Sequence, residues 1–337
     1  MTSKRNDRPD AVVWEITRRC NLTCPHCYTA ATTKDFPEMT TRECMDIIDV
    51  LSTMGTTLIG WTGGEPLLRN DLEDLMDYAR EKGKIRSGIT TNGVLLDEER
   101  AKSLTQAGLD SLQISLDGTT PEKNYRLRRA SDEEFRKVIE AIRICASLDV
   151  KLHVAMVLGK ENLADGWEML KLAHREGVGV VRFCGFVPTG RGKHKQVIER
   201  LQFSSDSLAV QQFVYEAMQL PSPKVSFDPA WGPLPPDYCF HTCQAGVGTF
   251  YLNCFGDVYP CTSLLDKRFV VGNIKERSLE DIWNDPKMTE IATLPREQIH
   301  GRCNGCRHFQ NCLGGCRGIT FAHTGDLFAS LPLCLKL

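Results

Sequence analysis

The sequence predicts an α/β protein: a partial (β/α)6 parallel barrel followed by a small, irregular, cysteine-rich domain. Two observations carry this. Between residues 11 and 184, short β-branched runs alternate with amphipathic helical stretches in six units, the rhythm of a parallel sheet with right-handed crossovers. Beyond Cys184 that rhythm stops, and 9 of the 15 cysteines fall between Cys239 and Cys334. Six units are too few for a closed eight-unit barrel, so the sheet is expected to stay open.

Strands are expected over 12–17, 57–61, 84–90, 111–116, 151–158 and 179–184, each rich in β-branched residues. The first helix opens with Thr40-Thr41-Arg42-Glu43, a capping box. It places Met45, Ile48, Leu51 and Met54 on one face and ends at Gly55. The helix over 132–148 repeats the pattern with Phe135, Val138, Ile142 and Ile144. Pro188-Thr189-Gly190-Arg191-Gly192 reads as a loop and 205–220 as a helix. The six prolines of 221–236 read as a stiff linker and domain boundary. The division is therefore a polar tail (1–10), the barrel (11–200), a helix with linker (201–236) and the cysteine-rich domain (237–337). The last has little apolar periodicity and needs a staple to hold its shape.

A net charge of −2 gives no basic field for nucleic acid. No apolar run approaches a membrane span, and the opening MTSKRNDRPD lacks the apolar core of a signal peptide. A cytoplasmic protein without nucleic-acid or membrane partners is expected, in which fifteen cysteines point to metal or redox chemistry rather than disulfides.

Cys20, Cys24 and Cys27 follow directly on the first strand, spaced C-x3-C-x2-C. Three thiolates on a short loop can hold three irons of a cubane, leaving the fourth iron to an external chelator. A zinc site would need His26 or a distant residue as well. This setting resembles the radical SAM superfamily. The resemblance implies that the amino-acid end of S-adenosylmethionine chelates the open iron, and that an electron from the cluster breaks the sulfonium bond and releases a 5′-deoxyadenosyl radical. It implies roles for residues at successive strand ends, where ligand sites of such sheets lie. Tyr28 would pack by the adenine. Gly63, Gly64 and Glu65, in Gly63-Gly64-Glu65-Pro66, would meet the methionine amine. Asn92, in Thr91-Asn92-Gly93, and Ser115 and Asp117, in Ser115-Leu116-Asp117-Gly118, would make polar contacts to the cofactor. One of Arg126, Arg128 and Arg129, with Arg128 as the candidate, would pair with its carboxylate.

From Cys243 the spacing is x12 to Gly256, x4 to Cys261, and then Cys303-x2-Cys306-x5-Cys312-x3-Cys316-x17-Cys334. This resembles the SPASM extension of radical SAM enzymes and implies two auxiliary [4Fe–4S] clusters, three in all. Cys303, Cys306, Cys312 and Cys334 would hold one; Cys243, Cys261 and Cys316 would supply three ligands of the other. Cys239 is the candidate eighth ligand and Asp237 its substitute; failing both, that cluster has an open iron. Cys254, on an apparent strand over 250–255, reads as a buried thiol. A double zinc site and a multi-cluster electron carrier are the competing readings.

The resemblance further implies a flavodoxin or ferredoxin as reductant, and net oxidation of the substrate. The leading reading is a maturase acting on a peptide side chain, with the peptide docked directly or through a separate carrier protein. Radical decarboxylation or oxidation of a tetrapyrrole, or dehydrogenation or epimerisation of an amino sugar, is the runner-up. The stretch from Val13 to Phe36 resembles the haem-biosynthesis branch, and the Gly190-Arg191-Gly192 segment resembles one carried by both that branch and the peptide-cofactor maturases. Arg182, Arg191, Lys193, His194 and Lys195 form a basic stretch that either holds substrate carboxylates or is a solvated loop. Cys184 either points into the barrel as a hydrogen-atom donor or is a buried thiol. His153 either faces the cavity or is a core histidine.

Overall fold

The computed structural model describes residues 6–203, 208–228, 231–232, 234, 244–291 and 293–335. Asp237, Cys239 and Cys243 lie outside the described residues. The strands are β1 (Ala11–Thr17), β2 (Leu58–Gly63), β3 (Arg86–Thr91), β4 (Leu109–Ser115), β5 (Lys151–Leu158), β6 (Val180–Gly185), β7 (Lys224–Phe227), β8 (Thr249–Leu252), β9 (Asp257–Tyr259) and β10 (Gly272–Asn273). They form one sheet in the order β10-β9-β8-β1-β2-β3-β4-β5-β6-β7. Neighbours from β1 to β7 are parallel, β8 adds parallel to β1, and β9 and β10 follow antiparallel. The sheet does not close on itself, so the fold is the expected α/β partial barrel.

The helices are α1 (Thr41–Thr53), α2 (Leu72–Gly83), α3 (Glu98–Gln106), α4 (Pro121–Arg128), α5 (Asp132–Ala146), α6 (Asp165–Arg175), α7 (Lys195–Leu201) and α8 (Leu208–Ala217), with α9 (Leu279–Trp283), α10 (Pro286–Thr289), α11 (Phe309–Cys312) and α12 (Arg317–Thr324) in the C-terminal third. The capping box of α1 forms on both sides: Glu43 N–H donates to the Thr40 hydroxyl at 3.3 Å and the Glu43 carboxylate accepts from Thr40 N–H at 2.7 Å. Strand alternation divides the faces of the sheet. Val12, Trp14 and Ile16 of β1 are fully buried in the main core with Ile48 and Leu51 of α1, and Trp14 stacks on Trp61 of β2 at 5.4 Å. Burial of each such side chain contributes roughly 1.5–3 kcal/mol. Among the residues of opposite phase are Val13, Thr62, Gln113, Ser115, Ala155, Val157, Arg182 and Cys184, which line the interior of the barrel.

Two expectations about organisation differ from what forms. Part of the proline segment 221–236 is a seventh strand: Lys224–Phe227 pairs with β6 and buries Val225 and Phe227. Pro221 and Pro223 lie before the four paired residues, where they remove no ladder bond. The C-terminal third also extends the barrel sheet through β8, so it is built onto the barrel rather than hung from a linker. No described helix is long and apolar enough to cross a membrane.

Candidate active site

A cavity of about 420 Å³ opens at the C-terminal ends of the parallel strands. Its wall includes Cys20, Cys24, Cys27, Tyr28, Gly63, Gly64, Asn92, Ser115, Arg128 and Cys184, residues drawn from the cysteine loop, from β2, β4, β6 and α4, and from the turns after β2 and β3. Glu65 and Asp117 are fully buried behind that wall.

The cysteine loop is fixed from several directions. Leu22 N–H donates to Cys20 Sγ and Ala31 N–H to Cys27 Sγ, each at 3.4 Å, and Cys20 N–H donates to Thr32 O at 2.8 Å. Asn92 donates through Nδ2 to Asn21 Oδ1 at 2.7 Å and lies 3.8 Å from Cys20 Sγ. Gly63 and Gly64 let the end of β2 run against this loop. A Cβ at Gly63, whose φ is +150°, would meet Thr17 O at 2.2 Å, and one at Gly64 would meet Arg19 O at 2.1 Å. Both obstacles are backbone, so glycine is required for close approach. Glu65 accepts from the Thr91 hydroxyl at 2.6 Å, Asn92 N–H at 2.7 Å and Leu67 N–H at 3.1 Å, which anchors the end of β3 that presents Asn92. Burial raises the pKa of the Glu65 carboxyl against those three bonds.

Asp117 is the hub of the opposite wall. It accepts from Arg128 Nε at 2.5 Å and from Val157 N–H at 2.7 Å, and His26 Nε2 lies 3.3 Å away. Burial pushes its carboxyl up, but Arg128 and then His26 reverse this and hold it at about 2. The paired Arg128 lies beside Cys24. Burial raises the Cys24 thiol, with Arg128 the largest opposing charge, while burial pushes Cys20 up to about 12. Thiols raised in this way would have to give up their protons to bind a metal or cluster. Among the described residues no three Cys, His, Asp or Glu side chains converge on a single-ion site. A cubane gives each thiolate its own iron and does not ask for that convergence.

Tyr28 turns its phenol into a buried environment where burial raises its pKa and a bond to Thr62 opposes the rise. Cys184 lines the cavity, and burial pushes its thiol up to about 12. His153 is half-buried; burial and then Arg182 and Lys151 lower its pKa. The basic stretch divides. Arg191 folds onto the cysteine loop, donating from Nε to Cys24 O at 2.8 Å and from a terminal nitrogen to Ala31 O, while its N–H donates to Cys27 O at 2.9 Å. Lys193, His194 and Lys195 are exposed, and Arg182 faces the cavity. Of the two readings of this stretch, the solvated loop fits Lys193, His194 and Lys195, Arg191 is a clamp occupied by loop carbonyls, and Arg182 faces the cavity.

In the C-terminal third, Cys312 is pushed up to about 11, by burial first and then by the charges of Cys334 and Cys303. Cys306 N–H donates to Cys303 O at 3.2 Å. Cys316 caps α12, its Sγ accepting from Ile319 N–H at 3.5 Å, and Cys261 Sγ accepts from Ser263 N–H at 3.3 Å. Thr262 and Ser263, next to Cys261, reach the same cavity as the N-terminal cysteines. Cys254 is buried with its thiol donating to Glu15 Oε1 at 3.6 Å, and Tyr251 OH bonds the other oxygen of Glu15. Sequence reasoning missed the parts played by His26 and Asp228. His26 sits between two loop cysteines, a position that signals proximity to the site. Asp228, which accepts from Gly185 N–H at 2.9 Å and lines the cavity, lies among the prolines that masked β7.

A parallel open barrel with three cysteines on the loop after β1, and more cysteines in an appended segment that touches the same cavity, defines an iron–sulfur enzyme that binds S-adenosylmethionine. The chain belongs to the radical SAM superfamily: residues 14–173 match that superfamily and residues 243–307 the SPASM iron-sulfur cluster-binding domain. It is 30% identical over 335 residues to mycofactocin maturase MftC of Mycobacterium ulcerans, covering 97% of this chain and 86% of that protein. It is 30% identical over 357 residues to Fe-coproporphyrin III synthase of Methanosarcina barkeri, covering 97% and 88%. The crystal structure of Streptococcus suis SuiB bound to precursor peptide SuiA superposes with a TM-score of 0.75 at 19% identity, covering 97% of this chain and 75% of that one, a likeness of fold.

Proposed function

We propose that this radical SAM/SPASM enzyme is a maturase that oxidatively modifies a side chain of a ribosomally made peptide, using three [4Fe–4S] clusters and an external flavodoxin- or ferredoxin-type reductant. When bound, a reduced cluster and S-adenosylmethionine supply the 5′-deoxyadenosyl radical that takes a hydrogen atom from the substrate. The observation that carries the reading is the shared cavity: the loop of Cys20, Cys24 and Cys27 forms one wall, and Thr262 and Ser263, beside Cys261, another. A substrate between them meets the radical on one side and an electron exit on the other. The protein's own groups hold the arrangement. Asp117 orients Arg128 toward the cofactor's carboxylate, Gly63 and Gly64 admit the cysteine loop, and the buried wall excludes water from the radical.

The match to mycofactocin maturase supports a peptide substrate. The equal identity to Fe-coproporphyrin III synthase supports the second reading, radical decarboxylation of a tetrapyrrole side chain. Anaerobically reconstituted enzyme offered deuterated peptides and tetrapyrroles separates them by label in 5′-deoxyadenosine. Transfer from a tetrapyrrole with none from any peptide would reverse the order. Replacing Cys20, Cys24 and Cys27 with Ala is expected to abolish S-adenosylmethionine cleavage; cleavage that persists would sink the assignment of the active cluster.

A further inference from the structure

Arg128, Arg182 and Arg191 all reach the cavity wall, and two of them are occupied. Arg128 donates to Asp117, and Arg191 to the carbonyls of Cys24 and Ala31. Arg182 is different. Its Nε is shut off from solvent without a hydrogen-bond partner, and its guanidinium forms no ion pair among the described residues. Asp228, on the same wall, accepts from Gly185 N–H. Arg182 sits in β6 between Ala155 of β5 and Ser226 of β7, side chains too short to fill the space it faces. It points to the same face as Cys184 but two residues deeper along the strand, about 7 Å from Cys184. The guanidinium stays charged, and a bound anion would give its buried Nε the partner it lacks. Its planar fork matches a carboxylate through two parallel bonds. Much of the rest of the wall, including Val13, Ala155, Val157, Phe186 and Val187, is apolar, and Gln113 adds a neutral donor. With Arg128 and Arg191 bonded to the protein, the one fork left suits a carboxylate better than a phosphate, which draws several cations or a nest of N–H groups.

We propose that Arg182 anchors a substrate carboxylate: the molecule that enters this cavity carries a free carboxylate, held by the Arg182 guanidinium on the inner wall while the carbon to be oxidised lies nearer the cysteine loop. The assignment rests on the cavity being the substrate chamber and deepens the reading above by naming the substrate's chemistry. The carboxylate can belong to a peptide or to a tetrapyrrole side chain, and the test has an arm for each.

Anaerobically reconstituted enzyme saturated with S-adenosylmethionine is dialysed to equilibrium against a tetrapeptide pool with free carboxylates or the same pool methyl-esterified. In parallel it is dialysed against a tetrapyrrole tetracarboxylate or its tetramethyl ester. The free acid of one pair is expected to bind about tenfold to a hundredfold more tightly than its ester, and the pair that shows the preference names the source. Arg182→Gln is expected to erase the preference by weakening the acid and not the ester, and Arg182→Lys to keep part of it. Iron content and the circular dichroism spectrum identify a variant that has failed to fold, in which case the acid–ester comparison on the unaltered enzyme decides alone. No preference in either pair overturns the proposal, as does an Arg182→Gln variant that keeps the preference or loses S-adenosylmethionine binding instead. The two readings fail separately. Enzyme that prefers the acids but makes no 5′-deoxyadenosine defeats the radical reading, whereas enzyme that makes it without a preference defeats the anchor.

Discussion

Replacing Arg191 with Met should loosen the cysteine loop without touching a cysteine. The substitution keeps the length of the side chain and removes its charge and donors. Lost are the bond from Nε to Cys24 O at 2.8 Å and that from a terminal nitrogen to Ala31 O; the backbone bond to Cys27 O at 2.9 Å stays. Bonds from a charged donor contribute about 1.5–3 kcal/mol each. With the lower figure for a half-buried side chain, the pair holds the loop by about 3 kcal/mol, a factor of about 150 in its local opening. The assay is hydrogen exchange on the reconstituted protein, read at the amides of Leu22 and Ala31, which donate to Cys20 and Cys27 sulfurs. Exchange there is expected to rise by about two orders of magnitude while the amides of β5 stay protected, and iron per chain should fall. Unchanged exchange at Leu22 and Ala31 would refute the clamp and return Arg191 to the substrate side.

Other outcomes follow from the same geometry. Gly64→Ala drives a Cβ against Arg19 O and should lose most of the N-terminal cluster's iron, whereas Gly179→Ala, with nothing within 4 Å, should not; iron analysis and EPR compare them. Asp117→Asn leaves Arg128 buried without its counter-charge and should lower stability to urea by about 3–5 kcal/mol at neutral pH. Because the Asp117 pKa is depressed to about 2, its contribution is present above the unfolded value near 3.8 and is lost as pH falls between the two, so the variant should lose less stability over that window. With its thiol near 12, Cys184 holds about one thiolate in ten thousand at pH 8, and mass spectrometry should find it among the slowest cysteines to alkylate. Replacing Cys303 or Cys334 with Ala should spare some cofactor cleavage while stopping substrate turnover, and full turnover in either variant would count against an electron path through that cluster.

The barrel was legible because its strands and helices announce themselves locally. The alternation of Leu152, Val154 and Met156 and the capping box at Thr40 need no knowledge of the rest of the chain. β7 was hidden because Pro221, Pro223 and Pro229 punctuate the sequence around four residues that do alternate. β8 was visible as a strand, but its pairing with β1 joins residues more than two hundred positions apart, and no local pattern encodes that. The site was legible to the level of loops. Cys20, Cys24 and Cys27 could be placed by spacing, yet the difference between Arg182 and Arg191 depends on which way each side chain turns. That Glu65 and Asp117 are fully buried and bonded to Asn92 and Arg128 was likewise not legible, since burial is a property of the assembled sheet.

The pairing of β8 with β1 also constrains engineering. The amides of Val13 and its neighbours take partners from Thr249–Leu252, so that side of the sheet is sealed by the chain's own later residues. A version shortened before residue 244 would bare a flat, apolar-backed ribbon, the kind that recruits copies of itself into aggregates. Grafting another enzyme's auxiliary-cluster segment onto this barrel would need a donor that supplies a matching strand, in register, as well as the cysteines.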